Sequence, residues 1–327
     1  MASQLEAVMD RNMAIEAVRV TEAAAIAAER WVGRGDEREA DAAAVDAMRT
    51  ALNRLKINGT VVIGEGERDE APMLYIGEKV GAGGPKIDIA LDPLEGTTIT
   101  AKANENAMAV LALAPDGDFL NAPDVYMEKI AIGGGYPDGI IDIDAAPADN
   151  LAKLARETGR DIGDLTVCIL DRPRHEELIA CVRAAGARIF LISDGDIFGV
   201  MSTSDSDSGI DMYLGSGGAP EGVLAAAALQ SIGGQIQGKL LFRTDDEIGR
   251  ARKLGIEDLD RVYSRDDLAS GDVIFCATGV TDGSMLKGVR KFRGGAETHS
   301  IVMRSVTGTV REVITRHNFD RKPGWND

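Results

Sequence analysis

Apolar residues recur at helical spacing near the start of the chain, where Val20, Ala24, Ala27 and Trp31 fall three to four apart until Gly33-Arg34-Gly35 stops the pattern. The reading is one long helix over residues 1–32. A second helix is predicted from about 39 to 53, with Ala42, Val45, Met48 and Leu52 on one face and Asp41 in its first turn. The period then changes. Residues 59–64 (GTVVIG) form a short β-branched segment closed by the acidic turn EGERDEAP, and further strands are expected at 87–91, 107–113 and 126–132.

From about residue 147 strand and helix alternate regularly. LTVCIL leads into DRPRHEELIACVRAAGA, RIFLIS into DGDI, and IDMYLG into GSGGAPEGVLAAAALQSIGG, the rhythm of helices packed on a parallel or mixed sheet. The last sixty or so residues return to strands, DVIFCAT and a hairpin in HSIVMRSVTGTVREVITRH. The pattern divides the chain into lobes of 1–146 and 147–327, with the last strands packing back on the first lobe. It contains no repeat of fixed period and no low-complexity tract.

Composition narrows the function classes. A chain of 327 residues with 44% hydrophobic content fills one large α/β unit or two lobes. Its net charge of −17, from 36 basic and 53 acidic residues, repels nucleic acid and anionic membrane surfaces. The basic cluster at 287–295 is short and lacks the aromatic interleaving of a base-stacking surface. No apolar run approaches the roughly 20 residues of a membrane span. Cys168, Cys181 and Cys276 are odd in number and form no Cys-x-x-Cys pair, which argues against a disulfide framework or a zinc site. The opening residues read as an amphipathic helix rather than an export signal, so a cytoplasmic location is expected.

Candidate chemistry concentrates in four acidic turns beside glycines: at Asp41, at 64–70 (GEGERDE), at 92–97 (DPLEGT) and around Glu221 (GGAPEG). Singly, each reads as a solvated loop acid or a helix N-cap. Together they read differently, because carboxyl ends of strands in open α/β sheets are where ligands bind. Pro93 cannot continue a ladder, Gly96 allows close approach to the backbone, and Thr97 offers a hydroxyl at a helix start. Crowded carboxylates need a positive charge among them, and a hard divalent cation with oxygen ligands, typically Mg²⁺ beside a phosphate, supplies it. With only His175, His299 and His317 present and no His-Glu-x-x-His pair, zinc is a poor candidate. Arg172 and Arg174 stand in a turn before a helix, suited to phosphate or simply to a solvated helix entrance. The Gly-rich GSGGAPEG segment precedes a helix but is no P-loop, and SDGDI follows an apolar strand as a turn or as a sugar-hydroxyl contact.

The segments GEGERDEAPMLYIGEKVG, DPLEGT, FLNAPDVYMEKI, RPRH, DGDI and GGAPEG, in this order and spacing, closely resemble the class II fructose-1,6-bisphosphatases, over nearly the whole chain. The Asp-Pro-x-acid-Gly-Thr core is also similar to the wider lithium-sensitive, metal-dependent phosphatase superfamily. The resemblance implies a layered α/β/α/β/α sandwich of two mixed sheets, with the active site between them. It places metal ligands on Asp41, Glu65, Asp92, Glu95 and Glu221, for Mg²⁺ or Mn²⁺. The general base becomes Thr97, assisted by Asp69. Substrate contacts fall on Glu95, Gly96, Thr97, Tyr126, Arg172, Pro173, Arg174, Asp194, Gly195, Asp196 and Gly218. These assignments make 1–146 a metal-binding lobe and 147–327 a substrate-binding lobe. One departure is visible: Glu37 stands where many relatives carry a lysine, which alters local charge but none of these residues.

The implied activity is hydrolysis of the 1-phosphate of fructose 1,6-bisphosphate by a homo-oligomer, dimer or tetramer. Alternatives are a sedoheptulose 1,7-bisphosphatase or dual-specificity enzyme, an inositol-phosphate phosphatase, and a non-catalytic sugar-phosphate sensor. The sensor reading predicts loss of a metal carboxylate or of Thr97, and all are present.

Overall fold

The computed structural model describes residue 9, residues 12–66 and residues 73–321. Helix α1 (Met13–Glu29) ends sooner than its apolar spacing predicts, because Gly33 and Gly35, at φ 72° and 75°, turn the chain back. Their N–H groups donate to the carbonyls of Thr100 and Ala101 at 2.9 and 3.0 Å. Residues 1–8, 10 and 11 of the predicted first helix lie outside the described residues. Helix α2 (Glu37–Leu52) starts earlier than expected, since the Asp36 carboxylate accepts the Glu39 N–H at 3.1 Å and caps it. Asp41 therefore lies in the second turn rather than the first.

The chain continues through β1 (Asn58–Ile63), β2 (Lys79–Val80), β3 (Lys86–Glu95), α3 (Thr97–Lys102), β4 (Met108–Pro115) and β5 (Tyr126–Ile132). Next come α4 (Pro147–Thr158), β6 (Thr166–Leu170), α5 (Glu176–Ala185), β7 (Arg188–Ile192), α6 (Asp196–Ser202), β8 (Met212–Gly218) and α7 (Ala219–Ile232). The remainder is β9 (Gln235–Leu241), α8 (Asp245–Lys253), β10 (Val262–Ser264), α9 (Arg265–Leu268), β11 (Ile274–Gly279), β12 (Arg290–Phe292), β13 (Gly295–Arg304) and β14 (Thr309–Asn318).

Two mixed sheets result. The first runs β12-β13-β11-β4-β3-β1-β2, with β14 on the other side of β13; the second runs β10-β9-β5-β8-β6-β7. Both ends of the chain feed the first sheet. The chain crosses to the second between β4 and β5 and returns between β10 and β11.

Burial orders the layers. Helices α1 and α2 cover the outer face of the first sheet through Ala17, Val45 and Met48 against Val61, Ile89 and Leu111. Helices α4 and α5 cover the outer face of the second through Leu151, Leu154 and Val182 against Ile130, Val167 and Met212. Between the sheets lie α6 and α7, packed on Ala90, Val110 and Phe275 from one side and Met127, Ala131 and Tyr213 from the other. The order is α/β/α/β/α. Helix α7 is apolar nearly all round, as a helix enclosed by two sheets must be, and its alanine run 225–228 is fully covered. Its polar residues are confined to the ends, Glu221 in the first turn and Gln230 and Ser231 in the last.

Candidate active site

Strand β3 carries the site's first two acids past the point where its apolar run stops. Asp-Pro does not end the strand. It breaks the register instead, so that pairing with β4 slips between Asp92 and Glu95. The Asp92 Oδ1 accepts the Leu94 N–H at 3.0 Å, and Gly96, at φ 89° and ψ 55°, turns the chain into α3 at Thr97. This short irregular stretch brings both carboxylates and the Thr97 hydroxyl to one spot. A third acid arrives from the middle layer. Glu221 follows Pro220 in the first turn of α7, and a Cβ on the N-cap residue Gly218 would overlap Glu221 Oε2. Carboxylate oxygens of Asp92, Glu95 and Glu221 lie within 4.8 Å of one another. Asp41, Glu65, Gly96, Thr97 and Asp194 line the same cavity, of about 310 Å³.

Burial, reinforced for most members by their crowding, raises the proton affinity of these acids. Burial, with Asp92, Asp41 and Glu221 as negative neighbours, pushes the Glu65 carboxyl up to about 9. Burial first, then Asp196, pushes Glu221 up to about 8, with Lys129 opposing. Asp92 is pushed up to about 6, chiefly by burial, and Glu95 well above the usual carboxylate range by burial and Asp92. Burial also raises Asp41 and Asp194. Glu221 Oε2 is buried and accepts no hydrogen bond among the described residues. An all-oxygen donor set with an orphaned buried carboxylate oxygen fits a hard divalent cation.

These shifts set a pH dependence for the metal-free protein. Where a folded carboxyl titrates above its unfolded value, the folded state holds more protons, so stability is lost as pH rises through that interval. For Glu65 the interval runs from 4.5 to about 9, and for Glu221 from 4.5 to about 8. Melting temperatures in chelator are expected to fall between pH 5 and 9, and to fall less in Glu65→Gln. Equal slopes for the two proteins would show that Glu65 ionises normally in the fold.

A cationic rim lies along β8. Arg174 donates from Nε and Nη2 to the Ser216 carbonyl at 3.2 and 2.7 Å, and its guanidinium lies 4.8 Å from the Tyr126 ring centroid. Tyr126 pairs with Gly218 across the β5/β8 ladder, which ties this rim to the acidic cavity. Arg172 pairs with Asp194 at 3.4 Å, and Pro173 opens an exposed 3₁₀ turn. His175 is buried below: Nδ1–H donates to the Leu170 carbonyl at 2.8 Å and Nε2 accepts the Ser216 N–H at 2.9 Å. It braces the turn. Gly195, at φ 85°, caps α6, and the Asp194-Gly195-Asp196 turn splits in two, Asp196 being buried against Lys129. Asp69 lies outside the described residues.

Two cations escaped the sequence reading. Arg243, bound to Glu247, lies 4.6 Å from the Tyr126 centroid, so two guanidinium groups stand against this ring. Nothing in its local sequence marks it. Lys129 is buried beside the acids, and its position on the apolar face of β5, between Met127 and Ala131, was a legible signal.

Carboxylate oxygens without histidine or thiolate call for a hard metal, and guanidinium groups on the adjoining rim call for an anion. Both demands, on five alternating layers, are those of a metal-dependent phosphatase. Known sequences narrow that class. A sequence model described as "Bacterial fructose-1,6-bisphosphatase, glpX-encoded" matches residues 11–317. The chain is 47% identical, over 96% of its length and 97% of theirs, to fructose-1,6-bisphosphatase 1 class 2 of Escherichia coli K12 and to the class 2 fructose-1,6-bisphosphatases of Escherichia coli O6:H1 and Shigella flexneri. The chain belongs to the class II fructose-1,6-bisphosphatase family.

Proposed function

We propose that this chain hydrolyses the 1-phosphate of fructose 1,6-bisphosphate with Mg²⁺ or Mn²⁺ held by Asp41, Glu65, Asp92, Glu95 and Glu221. The observation that carries the reading is the cluster of Asp92, Glu95 and Glu221 beside Thr97, with Glu221 Oε2 left uncompensated. Held there, such a cation would neutralise phosphoryl oxygens and acidify a water. The chain's own residues do the rest. The Thr97 hydroxyl carries no hydrogen bond among the described residues, so it is available to orient a water and take its proton, which Asp69 draws on. As the water oxygen bonds phosphorus, the bond from phosphorus to the sugar oxygen breaks, and the departing oxygen takes up a proton from solvent that balances the one the water gave up. The substrate is gripped by Glu95 and Gly96, by Tyr126, by the Arg172-Pro173-Arg174 turn, by Asp194, Gly195 and Asp196, and by Gly218. Metal binding thus falls mainly to 1–146 and substrate binding mainly to 147–327, with Glu221 bridging.

A cytoplasmic homo-oligomer, dimer or tetramer, fits the same reading. Its support is three free cysteines and exposed apolar side chains on the sheet edges, Phe190 and Leu191 on β7 and Ile314 on β14. No described helix is long and apolar enough to cross a membrane.

The test is phosphate release from fructose 1,6-bisphosphate, sedoheptulose 1,7-bisphosphate and inositol phosphates, each with Mg²⁺, Mn²⁺ or chelator. Fructose 1,6-bisphosphate is expected to turn over fastest and chelator to stop it. Faster release from the seven-carbon substrate would move the assignment to the sedoheptulose enzyme, and binding without release would make the chain a sensor.

Arg174 tests the rim separately. A contact made equally in ground and transition states acts on KM, and a charge-assisted hydrogen bond is worth roughly 1.5–3 kcal/mol, so Arg174→Ala is expected to raise KM about ten- to a hundredfold. An unchanged KM would reduce the turn to a solvated helix entrance.

A further inference from the structure

Lys129 is the only lysine buried among the described residues, and it lies on the inner face of the second sheet at 1% exposure. A buried ammonium persists only where its partners offset desolvation. Here there are two. Its Nζ forms an ion pair with Asp196, 6% exposed at the side chain, and donates to the Gly218 carbonyl at 2.8 Å. Two glycines keep the passage open. A Cβ on Gly217 would overlap Asp196 Oδ2 and lie 3.1 Å from Nζ, and a Cβ on Gly222 would come within 3.4 Å of Lys129 Cδ and 2.5 Å of the Met127 sulfur.

Both partners head helices whose first turns meet the acidic cluster. Asp196 is the first residue of α6, and the next N–H, that of Ile197, donates to Glu95 Oε1 at 3.3 Å. Gly218 is the N-cap of α7, whose first turn presents Glu221. One ammonium therefore joins the backbone segment that holds Glu95 to the one that presents Glu221. We infer that Lys129 is a positioning residue that sets the spacing of Glu95 and Glu221 for a divalent cation, acting through Asp196 and the Gly218 carbonyl. The inference rests on the reading that these two acids hold the cation.

The sign of one measurement separates positioning from simple electrostatics. Removing a positive charge beside a cation site should tighten cation binding by Coulomb's law alone, whereas loss of positioning should weaken it. Free Mn²⁺ is titrated against the full chain by electron paramagnetic resonance, without substrate, for wild type and Lys129→Met. The expected result is a Kd raised at least about tenfold, the scale on which supporting groups act on metal sites. Lys129→Met leaves Asp196 buried and unpaired, so Lys129→Met/Asp196→Asn is measured beside it. The pair removes one charge of each sign, buries none and keeps the net charge, and its Kd is expected to rise similarly. Equal or tighter Mn²⁺ binding in either folded variant overturns the positioning role, even with a lower melting temperature. A wild-type chain that leaves Mn²⁺ free overturns the metal reading itself, and this inference with it.

Discussion

Glu221→Gln is expected to abolish phosphate release while leaving the metal-free protein as stable as the wild type or more so. The two effects have one cause. Glu221 comes from the first turn of a helix enclosed by both sheets, burial pushes its carboxyl up to about 8, and its Oε2 finds no hydrogen-bond partner among the described residues. Above pH 8 the metal-free fold must therefore keep a negative charge, only partly offset by Lys129, beside Asp92 and Glu95, and an amide of the same shape removes it. With metal and substrate the balance reverses. An amide is a weaker ligand, and loss of several kcal/mol of transition-state charge stabilisation corresponds to roughly 10³-fold or more in rate. Asp92→Asn should behave alike, since the amide oxygen can still accept the Leu94 N–H now bound by Oδ1 at 3.0 Å. The measurements are turnover at saturating Mg²⁺ and Mn²⁺ and thermal melting in chelator. Near-normal turnover in either variant would remove that residue from the ligand set.

Much of the architecture was legible because period and burial agree. β5 spans the residues expected for it, 126–132, and the hairpin β13–β14 appears where two apolar runs flank a glycine turn. Helix α7 announced itself through Gly218, Pro220 and a long alanine-rich run. Other elements were silent for physical reasons. Helix α6 is seven residues long and buried throughout, so no polar face reveals a helical period, and DGDI reads as a turn. Strand β9 carries Gln235, Gln237 and Lys239 on one face and a glycine on the other, which dilutes the strand signal.

The site was legible only in part. Glycines and a proline beside each acid marked the turns, but convergence is a tertiary fact: Asp92 and Glu221 meet through a register break in one sheet and a helix start in the layer beneath. Family resemblance, not spacing, assembled them. Lys129 shows the opposite case. A charged residue on the inward face of a strand breaks the alternation, and that local conflict marks a functional or strained position.

Thr97→Ala is expected to lower kcat by roughly 10²–10⁴-fold while leaving Mn²⁺ binding and the Kd for fructose 1,6-bisphosphate nearly unchanged, the span ascribed to positioned general acid–base groups. The structural reason is the separation of duties at the end of β3. Asp92 and Glu95 belong to the strand, whereas Thr97 is the first residue of α3, reached through the left-handed turn at Gly96. Its side chain can change without moving either carboxylate, because the turn is held from elsewhere: Thr100 donates from Oγ1 to the Gly96 carbonyl at 3.1 Å, and Gly33 and Gly35 donate to Thr100 and Ala101. Thr97→Ser should retain part of the rate, since the hydroxyl survives without the methyl group that restricts its rotamer. An unassisted threonine is a poor base, so Asp69 is part of the claim: Asp69→Asn should resemble Thr97→Ala, and the double variant should be little worse than either, as groups acting on one step behave. Single-turnover phosphate release, beside calorimetric binding of fructose 1,6-bisphosphate, reads both quantities. Wild-type hydrolysis by Thr97→Ala would place the base elsewhere, and additive losses in the double variant would uncouple Asp69 from the threonine hydroxyl.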